Sequence, residues 1–303
     1  MPEPLVYIRN REHPQSQAHL PLHDAGFVMG ATVTDLCRTF HHHLFRLGDH
    51  SARFVESCRL ACIPMRHSAN DVSRIASELA DYNAKLIDAS QDLALVMCAT
   101  PGPVAHYLGE IQPQGGIEPT LLMHTFPIPV DRYAHFFEQG VRLVTPSIRQ
   151  VPAASIDRRI KHRSRLHWWL AEQEVRQVDA AAVALLLDES GAVTETAAAS
   201  FLIVKDGTVI SPPTESVLPG ISLRTTREFC GELGIPFREQ RLTLDDCRDA
   251  DEALLVGTSF CVAGVRFVNG QSIHWPGKIY ERLLTKWSAA VGLDIRRQFL
   301  PNR

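Results

Sequence analysis

Along the chain, apolar positions recur first with the period of a strand and then with that of a helix, separated by short polar breaks. The Thr/Val-rich stretch 31–40, followed by Leu44-Phe45-Arg46-Leu47, predicts a hairpin with His41, His42 and His43 at its turn. Asp49 is placed to cap a helix that carries Phe54, Cys58 and Ala61 on one face. Ser68 is placed to cap a second, with Val72, Ile75, Leu79, Tyr82 and Leu86 in phase. Strand-like runs at 93–98 and 120–126 flank a loop rich in Pro and Gly, and Pro127-Ile128-Pro129 is a stiff segment suited to joining two domains. Beyond it the pattern predicts a helix over 165–178, a strand over 181–187 and a hairpin through Asp206-Gly207. A helix over 222–233 stopped by Gly234, strands around 253–257 and 264–268, and an amphipathic helix over 279–291 complete the chain. The expectation is a mixed α/β protein with an N-terminal domain over residues 1–130 and a C-terminal domain over 131–303.

Composition narrows the classes. With 303 residues, 45% hydrophobic and 21% charged, the chain is long enough for two cores and reads as globular rather than disordered. A formal net charge of -3 gives no electrostatic case for nucleic acid or an anionic membrane as partner. The opening MPEPLVYIRNREH has no basic segment followed by an apolar run, and no later stretch reads as membrane-spanning, so a cytoplasmic protein is expected. Seven cysteines without paired spacing read as reduced core thiols, not disulfides or a metal site. The three adjacent histidines would alternate faces in extended chain, so no metal is assigned to them.

Among 31 basic side chains only five are lysines: Lys85, Lys161, Lys205, Lys278 and Lys286. Four fall on amphipathic helices or beside a turn, where a solvated ammonium needs no further role. Lys161 differs, because it lies between the loop 150–156 and a helix, within Arg158-Arg159-Ile160-Lys161-His162-Arg163-Ser164-Arg165. This segment reads either as a basic surface patch for phosphate or nucleic acid, or as the setting of a Schiff-base lysine whose neighbouring cations favour the neutral amine.

The order of segments after Lys161 favours the second reading: Val193-Thr194-Glu195, then Leu218-Pro219-Gly220-Ile221-Ser222, then Asp251-Glu252 and Gly257-Thr258-Ser259. Together with Asp24-Ala25-Gly26-Phe27, Gly30, and His50 followed by Arg53, this series resembles the class IV aminotransferases: branched-chain and D-amino-acid aminotransferases and aminodeoxychorismate lyases. The resemblance covers nearly the whole chain and implies two mixed α/β domains with pyridoxal 5'-phosphate in the cleft between them. It also implies a homodimer, and an amino acid or amine and a 2-keto acid as substrates. In this resemblance Lys161 is the catalytic residue, binding the cofactor covalently and moving the substrate proton. Glu195 bonds the pyridine nitrogen, Leu218 packs on the ring, and Arg53, Ile221, Ser222 and Thr258 hold the phosphate, with the helix opening at Ile221 supplying backbone N–H groups.

Departures bear on the reaction. Where many relatives carry Asn-Tyr four and five residues after the lysine, this chain has Arg165 and Leu166, and Lys161-His162-Arg163-Ser164-Arg165-Leu166 is similar to the K-H-x-x-R-L of aminodeoxychorismate lyases. That string supports a lyase releasing pyruvate as the alternative reaction. Ser200 stands where an Asn is usual, Asp35 where a Glu is common, and Ala99-Thr100-Pro101-Gly102 where many relatives place an arginine. Arg38 and His106 are candidate replacement polar groups in this region, with a structural arginine and a solvated loop histidine as the competing readings.

Overall fold

The structure is a computed structural model that describes residues 2–108 and 118–300, so the middle of the Pro/Gly-rich loop lies outside the described residues. The chain divides into two compact units, Met1–Ile128 with Arg159–Ser164, and Pro129–Arg158 with Arg165–Arg303. Both are mixed α/β.

The first unit runs β1 (Leu5–Ile8), β2 (Arg11–Pro14), α1 (Ala25–Val28), β3 (Val33–Phe40), β4 (His43–Leu44), α2 (Leu47–Leu60), α3 (Ala69–Ala84), β5 (Leu93–Thr100) and β6 (Thr120–Pro127). Its sheet has the order β2-β1-β6-β5-β3-β4. Helices α2 and α3 cover it, so that Phe54, Cys58, Ile75 and Leu79 meet Val33, Leu95, Met97 and Met123 in one core. The hairpin turns through His41 and His42, both at positive φ, and His43 already belongs to β4. Ser68 caps α3 in a reciprocal capping box with Asp71.

Two helix details differ from the sequence reading. Helix α2 starts two residues before Asp49; Arg46 is its N-cap, in a left-handed conformation, and Asp49 lies in the first turn, 3.5 Å from the Arg46 guanidinium. The inner stripe of α3 leaves Tyr82 39% exposed and includes Asn83. That buried amide is fully used: its oxygen accepts from the Leu5 N–H, and its nitrogen donates to Leu5 O and Thr125 Oγ1. A polar side chain with every bond made occupies a place that periodicity assigns to an apolar one.

The second unit runs α4 (Val130–Glu138), β7 (Val141–Val144), α5 (Leu166–Val178), β8 (Val183–Leu187), β9 (Val193–Thr196), β10 (Ser200–Lys205), β11 (Thr208–Ser211), α6 (Ile221–Glu232), β12 (Phe237–Glu239), α7 (Leu244–Arg248), β13 (Glu252–Gly257), β14 (Cys261–Val268), β15 (Gln271–Ser272), α8 (Lys278–Val291) and α9 (Ile295–Phe299). The sheet order is β12-β11-β10-β13-β14-β7-β8-β9, with β15 on β14. A further pairing of Ser200 with Glu195 joins β9 to β10, so six strands close into a ring. The β10–β11 turn passes through Asp206 and Gly207, both at positive φ as a two-residue hairpin demands. Trp168, Ala171 and Val175 seat α5 against Ala184 and Leu186 of β8.

Candidate active site

Lys161 belongs by its contacts to the first unit. The Thr34 N–H donates to its carbonyl at 2.8 Å, and its own N–H donates to Ser57 Oγ on α2. Ser57 in turn donates to Arg159 O, Arg163 N–H donates to Thr32 O, and His162 bridges to Val33. Backbone bonds on both sides thus fix where this half-buried lysine leaves the chain.

One helical turn before Ser57, Arg53 lies in a buried cluster. Asp35, fully buried on β3, accepts from Arg53 Nε and Nη2, from His50 Nδ1 and from the Leu36 N–H, each at 2.8 Å. Burial pushes the Asp35 carboxyl up, but the Arg53 guanidinium and His50 outweigh it and hold the group well below the usual carboxylate range. Burial also lowers His50; Asp35 opposes this, while Arg53 and the Lys161 charge add to it, so the imidazole is neutral near pH 7. The result is a clamp that fixes the Arg53 side chain on Asp35, beside a His50 that feels the Lys161 charge.

In the second unit, the Glu195 carboxylate on β9 accepts from Gln150 Nε2 at 3.2 Å and from the Leu218 N–H at 3.3 Å. Gln150 is held the right way round because its oxygen takes the Val151 N–H and faces His167 Nε2 at 3.1 Å. After Leu218, Pro219 and Gly220 lead into α6. Its N-cap Gly220 supplies no side-chain bond, which leaves the first N–H groups, those of Ile221 and Ser222 included, without a side-chain cap. Ile221 and Ser222 are both buried, and α6 packs on β13, whose last residue, Gly257, precedes Thr258. A Cβ on Gly220 would stand 2.9 Å from Ser200 Oγ, and one on Gly257 would stand 3.0 Å from Ala198 O. Glu195, Leu218, Ile221, Ser222 and Thr258 therefore share one end of this unit. A half-buried carboxylate, an uncapped twelve-residue helix and two backbone positions with no room for a side chain fit a pyridine ring bearing a phosphate.

Several candidates have other work. Arg38 is 1% exposed, 3.6 Å from Asp92, with its guanidinium 4.1 Å from the Phe40 ring, which makes it a structural arginine. The His106 ring lies 4.2 Å from that of its neighbour Tyr107, tilted by 37°. Arg165 donates to Ala197 O, in the turn between Glu195 and Ser200. Arg158 is half-buried in the field of Glu195, so the basic run is not one continuous solvent face. All seven cysteines are free, and burial pushes the Cys58 thiol up to about 12 and the Cys230 thiol to about 11. Gln150 and Ser57 were not legible as site residues; only the position of Ser57, four residues after Arg53 on a helix, signals that they share a face.

Residues 32–268 match the family described as amino-transferase class IV. The chain belongs to that family, and it is a pyridoxal-phosphate-dependent aminotransferase. A Methanocaldococcus jannaschii protein, provisionally named as a branched-chain-amino-acid aminotransferase, is 27% identical over 299 residues, 97% of each chain. The D-alanine aminotransferase of Bacillus licheniformis is 26% identical over 88% of this chain and 89% of its own. The branched-chain aminotransferase of the thermophilic archaeon Thermoproteus uzoniensis, solved with norvaline, superposes with a TM-score of 0.82 at 22% identity, covering 99% of this chain and 98% of that one.

Proposed function

We propose that this enzyme transfers an amino group between an amino acid or amine and a 2-keto acid, with Lys161 as its catalytic residue and Arg53, Glu195, Leu218, Ile221, Ser222 and Thr258 as the cofactor's holders. The observation that carries the reading is the Glu195 carboxylate, which bonds the Leu218 N–H just ahead of the uncapped α6 terminus. When bound, pyridoxal phosphate supplies an electron sink for charge developing on the substrate carbon.

The chain's own residues do the rest. Glu195 would hold a proton on the ring nitrogen, and Gln150 keeps that carboxylate oriented. The α6 N–H groups, Ser222, Thr258 and the clamped Arg53 would hold the phosphate dianion. Lys161 Nζ would accept the proton leaving the substrate carbon and later give it back, the general acid/base role in transfer. Incubation with an amino donor and a 2-keto acid tests the assignment. Stoichiometric appearance of the new amino acid is expected, whereas pyruvate formed without consumption of any acceptor places the chemistry with the lyases.

Two further parts of the reading concern assembly and setting. Leu166, Trp169 and Leu170 stand 46–70% exposed on one face of α5, and Leu22, Phe27 and Met29 are 63–77% exposed in the first unit. Apolar exposure of this kind supports a homodimer; light scattering is expected at twice the 33.8 kDa chain mass, and a monomer at working concentration contradicts it. Seven free thiols support a reducing, cytoplasmic setting. No helix among the described residues is long and apolar enough to cross a membrane.

A further inference from the structure

Apart from the residues assigned to the cofactor, the second unit contains a cleft of about 360 Å³ between α4, α5 and the turn 196–199. That volume is within the range of pockets that take small molecules. Its apolar wall is built from Tyr133, Phe136 and Phe260, whose rings lie 5.4–5.6 Å from one another. Opposite charges face the same space. Glu172 is 18% exposed; burial pushes its carboxyl up, and the Ala184 N–H, Arg176 and Arg132 only partly oppose that. Its nearest ion-pair contact, Arg176, is a loose 3.8 Å away. Arg132, exposed at the start of α4, forms no ion pair among the described residues and rests its guanidinium 6.0 Å from the Tyr133 ring.

A half-buried carboxylate with one loose ion pair, an arginine without a carboxylate, and an aromatic wall in the same cleft are the complement of a zwitterion with an apolar side chain. We propose that this cleft is a second binding site for a free apolar or aromatic amino acid, with its ammonium on Glu172, its carboxylate on Arg132 and its side chain against Tyr133, Phe136 and Phe260. An arriving ammonium offsets the burial cost of the Glu172 carboxylate, and Arg132 gains a bidentate partner. The floor of the cleft is Thr196–Ala199, the turn between Glu195 and Ser200, and Phe260 follows Thr258 by two residues. An occupant therefore touches the segments that carry two of the proposed cofactor contacts and is positioned to change cofactor affinity.

The test uses the holoenzyme and N,N-dimethylphenylalanine. Its tertiary ammonium cannot condense with an aldehyde, so it reports on this cleft independently of any covalent chemistry. Calorimetric titration is expected to give one saturable site per chain, weakened roughly ten- to a hundredfold by each of Glu172→Gln and Arg132→Ala. N-acetylphenylalanine, which has no ammonium, is expected to bind far more weakly. Arg132 is exposed, so its variant tests the site even where Glu172→Gln disturbs packing. No saturable binding at millimolar ligand, or binding that neither variant weakens, overturns the proposal. Because neither variant touches Lys161 or Glu195, loss of binding with transfer activity intact separates this site from the catalytic one.

Discussion

Replacing Asp35 by Asn should cost this protein more stability than any surface change. The carboxylate is fully buried and accepts four bonds at 2.8 Å, two of them from the Arg53 guanidinium, which is itself only 10% exposed. An amide keeps one acceptor, turns an N–H₂ toward Arg53 Nε, and removes the charge that balances the arginine. Breaking a buried pair from one side costs about 3–5 kcal/mol, because the other charge stays behind. With urea m-values of about 2–3 kcal/mol per M, the unfolding midpoint of the first unit should fall by roughly 1–2 M. The double variant Asp35→Asn/Arg53→Gln leaves no uncompensated charge and should recover part of the loss, so that it costs less than the sum of the two single variants. Chemical denaturation followed by far-UV circular dichroism reads both. A midpoint in Asp35→Asn that corresponds to less than about 1 kcal/mol of lost stability would refute the clamp as a source of stability.

The remaining predictions concern pH and catalysis. His50 and Asp35 both titrate below their ordinary values, so the unfolded chain takes up their protons first as pH falls. Stability is present above pH about 6.5 and should erode below it, with a second loss below about 4 as unfolded Asp35 protonates; stability rising on acidification over that range contradicts both assignments. Glu195→Gln keeps an acceptor for the Leu218 N–H but cannot hold a proton on a ring nitrogen. It should retain cofactor yet lose transfer rate by roughly a hundredfold or more, and a rate within a few-fold of wild type counts against the assigned role.

Much of the fold was legible because its signals are local. Asp206-Gly207, the Ser68 cap and the stripe Val72-Ile75-Leu79 each act over a few residues. Elements without such signals were missed, among them the β1–β2 hairpin and β7, a four-residue strand fixed by its parallel neighbours β8 and β14. Periodicity also misjudged Tyr82, since the buried slot went to Asn83, whose bonds to Leu5 and Thr125 span the chain. The candidate site follows the same rule. Glu195, Leu218 and Ser222 lie in short strings with recognisable order, whereas Gln150 reaches Glu195 across 45 residues and Ser57 reaches Lys161 across 104, distances at which sequence spacing carries no signal.

We propose that Lys161 holds the cofactor covalently. The direct measurement is peptide mass analysis after borohydride reduction of the pyridoxal-phosphate-loaded protein, alongside absorption spectra of wild type and Lys161→Ala. A single phosphopyridoxyl adduct on Lys161, with its absorption band absent from the variant, is the predicted result. A folded, cofactor-saturated protein with no adduct at Lys161, or with the adduct on another lysine, would contradict it.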